Sequence, residues 1–353
     1  MAAACRLARG IAGRPATRGE VAARQRKLVV YLPHRQPVWR LPEGYVETIR
    51  RRAAKSFDLE IPMGEEVFLR GLPGAEILFA WGLARRHVEK AGALRWLHTP
   101  LAGVDRVLNP ELVKSPIRVT SSRGVNSIAV AEHTLGLILA MSRGIADGVR
   151  AQGEKRWAQQ DLFGRQPPID ELHGKLLGIL GLGDIGRELA VRARALGMRV
   201  WGVVRTARPA PDWVDRLLAA GKEDTLLRES DIVVLALPLT KATHGLIGER
   251  QLRHMKHSAL LVNIGRGELV QESALVRALR EGWIAGAGLD VFATEPLAPR
   301  SPLWGLTQVV MTPHVAGTHP KYMARSADLF VQNLQRYVAG EDLINEVDKQ
   351  AGY

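Results

Sequence analysis

The run Gly181-Leu182-Gly183-Asp184-Ile185-Gly186 constrains this chain more than any other stretch. It follows the apolar segment Leu176-Leu177-Gly178-Ile179-Leu180 and opens a helical pattern from Arg187 to Leu196. A strand, a tight turn and a helix in that order use three glycines for three tasks: turning the chain, letting backbone approach a pyrophosphate, and letting the helix pack closely on the sheet. The helix N-terminus then receives phosphate charge on its free amides. The same spacing arises by chance in a chain with 35 glycines. The flanking strand and helix give it weight.

A second strand, Arg199-Val200-Trp201-Gly202-Val203-Val204, follows at the distance of a βαβ unit. Its end marks the place of an adenosine ribose, where an NAD site carries Asp or Glu. Here Val204 is followed by Arg205, Thr206 and Arg208. With no carboxylate to repel a 2′-phosphate and with guanidinium and hydroxyl groups in reach, NADP(H) is expected ahead of NAD(H). The alternative is that Arg205 stacks on the adenine and either cofactor binds.

At 353 residues, 46% hydrophobic and 24% charged, the chain has the length and composition of a two-domain globular protein. No apolar run approaches the roughly 20 residues of a membrane span, so no membrane partner is expected. Cys5 is the only cysteine, which excludes a disulfide within the chain and a cysteine zinc cluster. Nor do His, Cys and carboxylates gather at ligand spacing, and metal-free chemistry is expected. Residues 1–27 hold seven basic side chains against Glu20 alone, six of the thirteen net positive charges. The remaining excess is that of a solvated surface attracting anionic ligands, and nothing argues for nucleic acid. The Arg- and Ala-rich residues 1–26 read as a short disordered leader on a cytoplasmic protein, with a mitochondrial transit peptide as the alternative.

Apolar runs at Leu28–Leu32, Ile77–Ala80, Leu94–His98 and Ile117–Thr120 predict a small α/β unit. A long helix from Ser127 through Arg143, resumed after a break to Trp157, then carries the chain onward. Further strands are expected at Leu176, Arg199, Asp231, Ala259, Gly286 and Val309. Runs such as Ile232-Val233-Val234-Leu235 are continuously apolar, as buried parallel strands are. The result is a doubly wound parallel sheet. An amphipathic helix from Tyr322 to Tyr337, ended by Gly340, can return to the first unit.

Three segments fall at the C-terminal ends of the later strands, where open α/β sheets bind ligands. They are Asn263-Ile264-Gly265-Arg266-Gly267, Leu289-Asp290 through Glu295-Pro296, and Thr312-Pro313-His314 through Gly317. Together they offer a guanidinium, a carboxylate and an imidazole, a set able to bind an anionic oxo acid and move a proton. Taken singly, each has a plainer reading: a surface arginine, turn chemistry at Glu295-Pro296, a sheet-edge histidine.

With these segments and the supporting motifs Leu101-Ala102-Gly103-Val104-Asp105, Arg123-Gly124-Val125-Asn126, Ala131-Glu132-His133 and Leu237-Pro238-Leu239-Thr240, the chain resembles the D-isomer-specific 2-hydroxyacid dehydrogenases from about Leu28 onward. The likeness is greatest to the glyoxylate and hydroxypyruvate reductases that use NADP(H). It implies an α/β protein: a Rossmann dinucleotide-binding domain at 126–318, inserted in a smaller flavodoxin-like substrate domain at 27–125 and 319–353. It implies Arg266 as the carboxylate and carbonyl clamp, His314 as proton donor, and Glu295 as the partner that orients the imidazole and favours its protonated form. The amides of Ala102 and Gly103 would take the substrate carboxylate. Gly181, Gly183, Asp184, Ile185, Gly186, Arg205, Thr206, Leu237, Pro238, Thr243, Ile264, Gly265, Asp290, His314 and Gly317 would contact the cofactor, Asp290 on its nicotinamide side. The implied partners are a small 2-oxo or 2-hydroxy acid and a second copy of the chain, contacted through the region Ser127 to Trp157. The alternative is a dinucleotide-sensing, corepressor-like interaction protein on the same scaffold, since fold does not settle function.

Overall fold

The computed structural model describes residues 26–206 and 209–353; the expected leader, apart from Arg26, and Arg208 lie outside them. A first sheet holds β1 (Lys27–Tyr31), β2 (Asp58–Glu60), β3 (Ala75–Ala80), β4 (Trp96–Thr99) and β5 (Arg118–Ser121), in the order β2-β1-β3-β4-β5. A second holds β6 (Leu176–Leu180), β7 (Arg199–Val204), β8 (Arg216–Ala219), β9 (Ile232–Leu235), β10 (Leu260–Asn263), β11 (Gly286–Leu289) and β12 (Val309–Met311), in the order β8-β7-β6-β9-β10-β11-β12. Every pairing between these strands is parallel. The strand order reverses at β1/β3 and at β6/β9, the two points where such sheets open a crevice at their carboxyl edges.

β6, β9 and β10 are buried along their whole length because helices cover both faces of the sheet. One cover is the helix Ser127–Ser142, whose Val130, Ile138 and Met141 pack with Leu177, Ile179 and Val262. It stops at Ser142, turns through Gly144 in the left-handed region, and resumes as Ile145–Gly153. Two strands left no apolar run to read: β2 has three residues and β8 presents only Leu218 fully to the core. The exposed guanidinium of Arg216 instead covers the Trp201 ring, 4.8 Å from its centre.

After β12 the chain returns to the first sheet. The helix Tyr322–Ala339 lays Phe330 against Phe79 and Trp96, with ring centres 4.5 and 5.3 Å apart. Gly340 ends that helix at φ 72°, and Val347 N then donates to Val119 O at 2.8 Å beside β5. The seven-stranded unit is thus inserted between β5 and this returning segment, giving the α/β architecture expected. Beneath the helix His98 is fully buried, with Nδ1 2.7 Å from the Thr120 hydroxyl and Nε2 3.3 Å from that of Ser122. Burial pushes its pKa down to about 3, so it stays neutral. Among the described residues no single helix is long and apolar enough to cross a membrane.

Candidate active site

The expected cofactor residues all follow strands of the second sheet and share its carboxyl edge: Gly181 to Gly186 after β6, Arg205 and Thr206 after β7, Leu237, Pro238 and Thr243 after β9, Ile264 and Gly265 after β10, Asp290 after β11, His314 and Gly317 after β12. Gly181 adopts φ 100°, and a Cβ there would lie 2.6 Å from Ala236 O, so the turn admits only glycine. A Cβ at Gly183 would project into open space, the cradle that backbone needs to approach a phosphate. No side chain caps the helix Asp184–Ala195, which leaves its first amides free. Asp184 would oppose an anion here, but Arg123 Nε lies 3.2 Å from its carboxylate. Thr243 is committed to its own loop: Oγ1 donates to Pro238 O at 2.7 Å and accepts the Thr240 amide at 2.8 Å.

Arg266 stands on a turn fixed by a buried amide. Asn263 Nδ2 donates to Arg266 O at 2.8 Å, while its Oδ1 accepts the Gly265 amide at 3.1 Å. The guanidinium crosses to the first sheet's loop after β4, placing Nε and Nη2 at 3.0 and 2.8 Å from Asp105 Oδ1, and Nη1 at 2.8 Å from Gly265 O. A Cβ added at Gly103 would run into Nη2, so the missing side chain is what admits the arginine. Gly103 therefore faces the cation.

His314 Nδ1 lies 2.8 Å from Glu295 Oε2. Burial pushes the Glu295 carboxyl up, but the imidazole, the Phe292 amide and Arg106 outweigh it and hold the group below the usual carboxylate range. His314 has φ 54°, a left-handed backbone that costs a non-glycine residue about 1–2 kcal/mol. Asp290 holds it there: its backbone oxygen accepts the His314 amide at 2.8 Å, Oδ1 accepts Thr312 Oγ1 and the Val315 amide at 2.7 and 2.9 Å, and Oδ2 accepts the Ala316 amide at 3.0 Å. His133 Nε2 joins this group, 2.8 Å from Thr312 Oγ1. Sequence reasoning gave Asp290 a cofactor contact and missed this bracing of the His314 turn.

Two further residues of the Leu101–Asp105 loop region went unread. Asp105 holds Arg266, and the adjacent Arg106 places Nη2 3.2 Å from Glu295 Oε2. Arg106 is two-thirds exposed, so its pair contributes little, on the order of 0–1 kcal/mol. The signal was the acid that ends that motif and the base next to it, but only the fold shows what each faces. Tyr322 lies close by and donates its hydroxyl to Pro100 O at 2.9 Å; burial raises its pKa to about 12, which removes it as a proton donor near neutrality. His319 ties Val125 O at 3.2 Å and stands outside the Arg266, Glu295 and His314 set.

The family model of the D-isomer specific 2-hydroxyacid dehydrogenase NAD binding domain matches residues 135–316. A glyoxylate reductase of Thermofilum pendens is 40% identical over 266 residues, 72% of this chain and 75% of that one. One of Korarchaeum cryptofilum is 38% identical over 269 residues, 73% of this chain and 78% of that one. Among solved structures, a D-isomer specific 2-hydroxyacid dehydrogenase of Xanthobacter autotrophicus in complex with NADPH and MES superposes with a TM-score of 0.77 at 29% identity, covering 93% of this chain and all of that one. The NADPH-dependent glyoxylate/hydroxypyruvate reductase of Sinorhizobium meliloti, with NADP and sulfate, gives 0.77 at 25% identity over 93% and 100%. With its two parallel sheets, its glycine turn and its Arg266 and His314 at one sheet edge, this chain belongs to the D-isomer-specific 2-hydroxyacid dehydrogenase family.

Proposed function

We propose that the protein reduces a small 2-oxo acid to the D-2-hydroxy acid, with NADPH preferred over NADH. The observation that carries this reading is the convergence of Arg266, His314 and Glu295 at the carboxyl edge that also bears the uncapped helix after Gly183. The glyoxylate reductases among the relatives support it over a dinucleotide-sensing role.

The residues present fit a dinucleotide: Gly181, Gly183 and the amides of Asp184, Ile185 and Gly186 for the pyrophosphate, Arg205 and Thr206 for the ribose end, and Leu237, Pro238, Thr243, Ile264, Gly265, Asp290, His314 and Gly317 along its length. The reduced nicotinamide, when bound, supplies the hydride that adds to the ketone carbon. Arg266 fits the planar carboxylate and carbonyl of an oxo acid because its fork offers paired in-plane donors. The amides of Ala102 and Gly103 face the same anion from the first sheet. His314 gives a proton to the oxygen that gains charge as the ketone is reduced, so ketone, hydride and proton together make the hydroxyl. Glu295 accepts from Nδ1 and leaves Nε2 to point at the substrate. The Asp290 hydrogen bonds keep this imidazole in place through its strained backbone.

We assign 27–125 with 319–353 to the substrate domain and 126–318 to the cofactor domain, and place the protein in the cytoplasm. Trp157 and Phe163, 88% and 71% exposed beyond the helix Ile145–Gly153, favour a homodimer formed there. Sedimentation of Trp157→Glu as a monomer would bear that out, and an unchanged mass would remove it. The activity is tested by its product: hydroxypyruvate with NADPH should yield D-glycerate on chiral chromatography, and L-glycerate or a racemate would overturn the assignment.

A further inference from the structure

The returning segment 345–353 starts on the first sheet and ends on the second. Beyond Val347, Lys349 Nζ donates to three backbone carbonyls, Leu112 O at 3.2 Å, Ser115 O at 2.5 Å and Ile117 O at 3.0 Å. Asp348 then closes a tight turn: Oδ1 accepts the amides of Gln350 and Ala351, both at 2.9 Å, and its backbone oxygen accepts that of Gly352 at 2.8 Å. The turn delivers the Tyr353 ring onto the Arg205 guanidinium, 4.9 Å from Cζ to the ring centre. Arg205 stands one residue beyond β7, so an anchored side chain of the first unit covers a cation of the second.

We propose that Tyr353 is a positioning residue for Arg205 and sets how strongly the site discriminates NADP(H) from NAD(H). The inference rests on the reading of Arg205 given under the proposed function. An exposed arginine loses rotamer freedom when a phosphate fixes it, and a ring stacked on one face restricts it in advance. Stacking uses the face of the guanidinium, while a phosphate uses the in-plane donors at its edge, so the two contacts are compatible. The three carbonyls on Lys349 hold the ring in place before any ligand arrives. Tyr353 thereby joins the cofactor site although it lies almost 150 residues along the chain from Arg205.

The test is calorimetric titration of the full chain with the fragments 2′,5′-ADP and 5′-AMP, which read the 2′-phosphate without turnover. Tyr353→Ala should lower the affinity ratio of the two fragments about two- to fivefold, the range of an exposed cation–π contact. Tyr353→Phe should keep the ratio, because the ring alone is needed. A ratio unchanged in Tyr353→Ala, or equal weakening of both fragments, overturns the proposal and makes the segment structural only. Arg205→Ala separates the two levels. If it leaves the ratio unchanged, the reading of Arg205 fails and this inference with it. If it collapses the ratio while Tyr353→Ala does not, only the role of Tyr353 falls.

Discussion

Arg266 grips a single carboxylate oxygen of Asp105 with two nitrogens, Nε at 3.0 Å and Nη2 at 2.8 Å, across 161 residues of chain. The pair joins the turn after β10 to the loop after β4, so the proposed substrate clamp is aimed by the opposite sheet. Both partners are less than a quarter exposed, which places the contact well above a surface ion pair. Asp105→Asn keeps the shape and loses the charge. Hydrogen bonds to charged groups are worth about 1.5–3 kcal/mol, so kcat/KM for the oxo acid should fall roughly ten- to hundredfold, by steady-state kinetics. An unchanged value would make the pair incidental.

His314→Ala should lower kcat by about 10²–10⁴-fold with a smaller change in KM, the loss of a general acid. Arg266→Ala should instead raise KM as well as lower kcat, because the clamp acts before and during reduction. Identical profiles for the two variants would contradict the separate roles.

Glu295 is held below the ordinary carboxylate range, so its ionised form favours the folded state. That contribution is complete above the unfolded value near 4.5 and is lost as pH falls through the lower folded value. Wild type should therefore melt above Glu295→Gln at pH 6, and the gap should close as the pH drops below about 4. A gap that widens on acidification would reverse the sign.

Asp290 anchors the 312–316 turn through three side-chain hydrogen bonds. Asp290→Ala leaves those donors unsatisfied in a buried site and should cost about 2–4 kcal/mol in urea unfolding. It should also reduce kcat, because the 312–316 turn that carries the left-handed His314 then keeps only its backbone hydrogen bonds. Full activity in a destabilised variant would separate fold from site.

The parallel sheet of the cofactor unit was legible because buried strands write continuous apolar runs: Arg199–Val204 matches β7 residue for residue. The edge strands β2 and β8 were not, since a short or half-exposed strand leaves no such run. Arg266, Glu295 and His314 could be named from motifs at strand ends, and the structure brings them to one edge. Their supports could not. Asp105, Arg106, His133 and the bracing role of Asp290 act through partners between 22 and 189 residues away, and no local pattern encodes such pairings.

His98 gives a pH signature independent of the active site. It is neutral in the fold down to about pH 3 but takes up a proton near 6.5 when unfolded. The unfolded state thus binds more protons between these values, and stability should fall by up to about 1.4 kcal/mol for each pH unit below 6.5. His98→Gln should flatten that slope in denaturant unfolding between pH 6.5 and 5; a parallel slope would mean that another group carries it.

Hydride transfer to a 2-oxo acid is proposed for the Arg266, Glu295 and His314 site. The most direct measurement follows the loss of reduced-nicotinamide absorbance with NADPH or NADH against glyoxylate, hydroxypyruvate, pyruvate and phenylpyruvate, in wild type and His314→Ala. Wild type should turn over with NADPH favoured, and the variant should be nearly inactive. Tight NADPH binding with no turnover of any of the four acids, or equal turnover in His314→Ala, would contradict it.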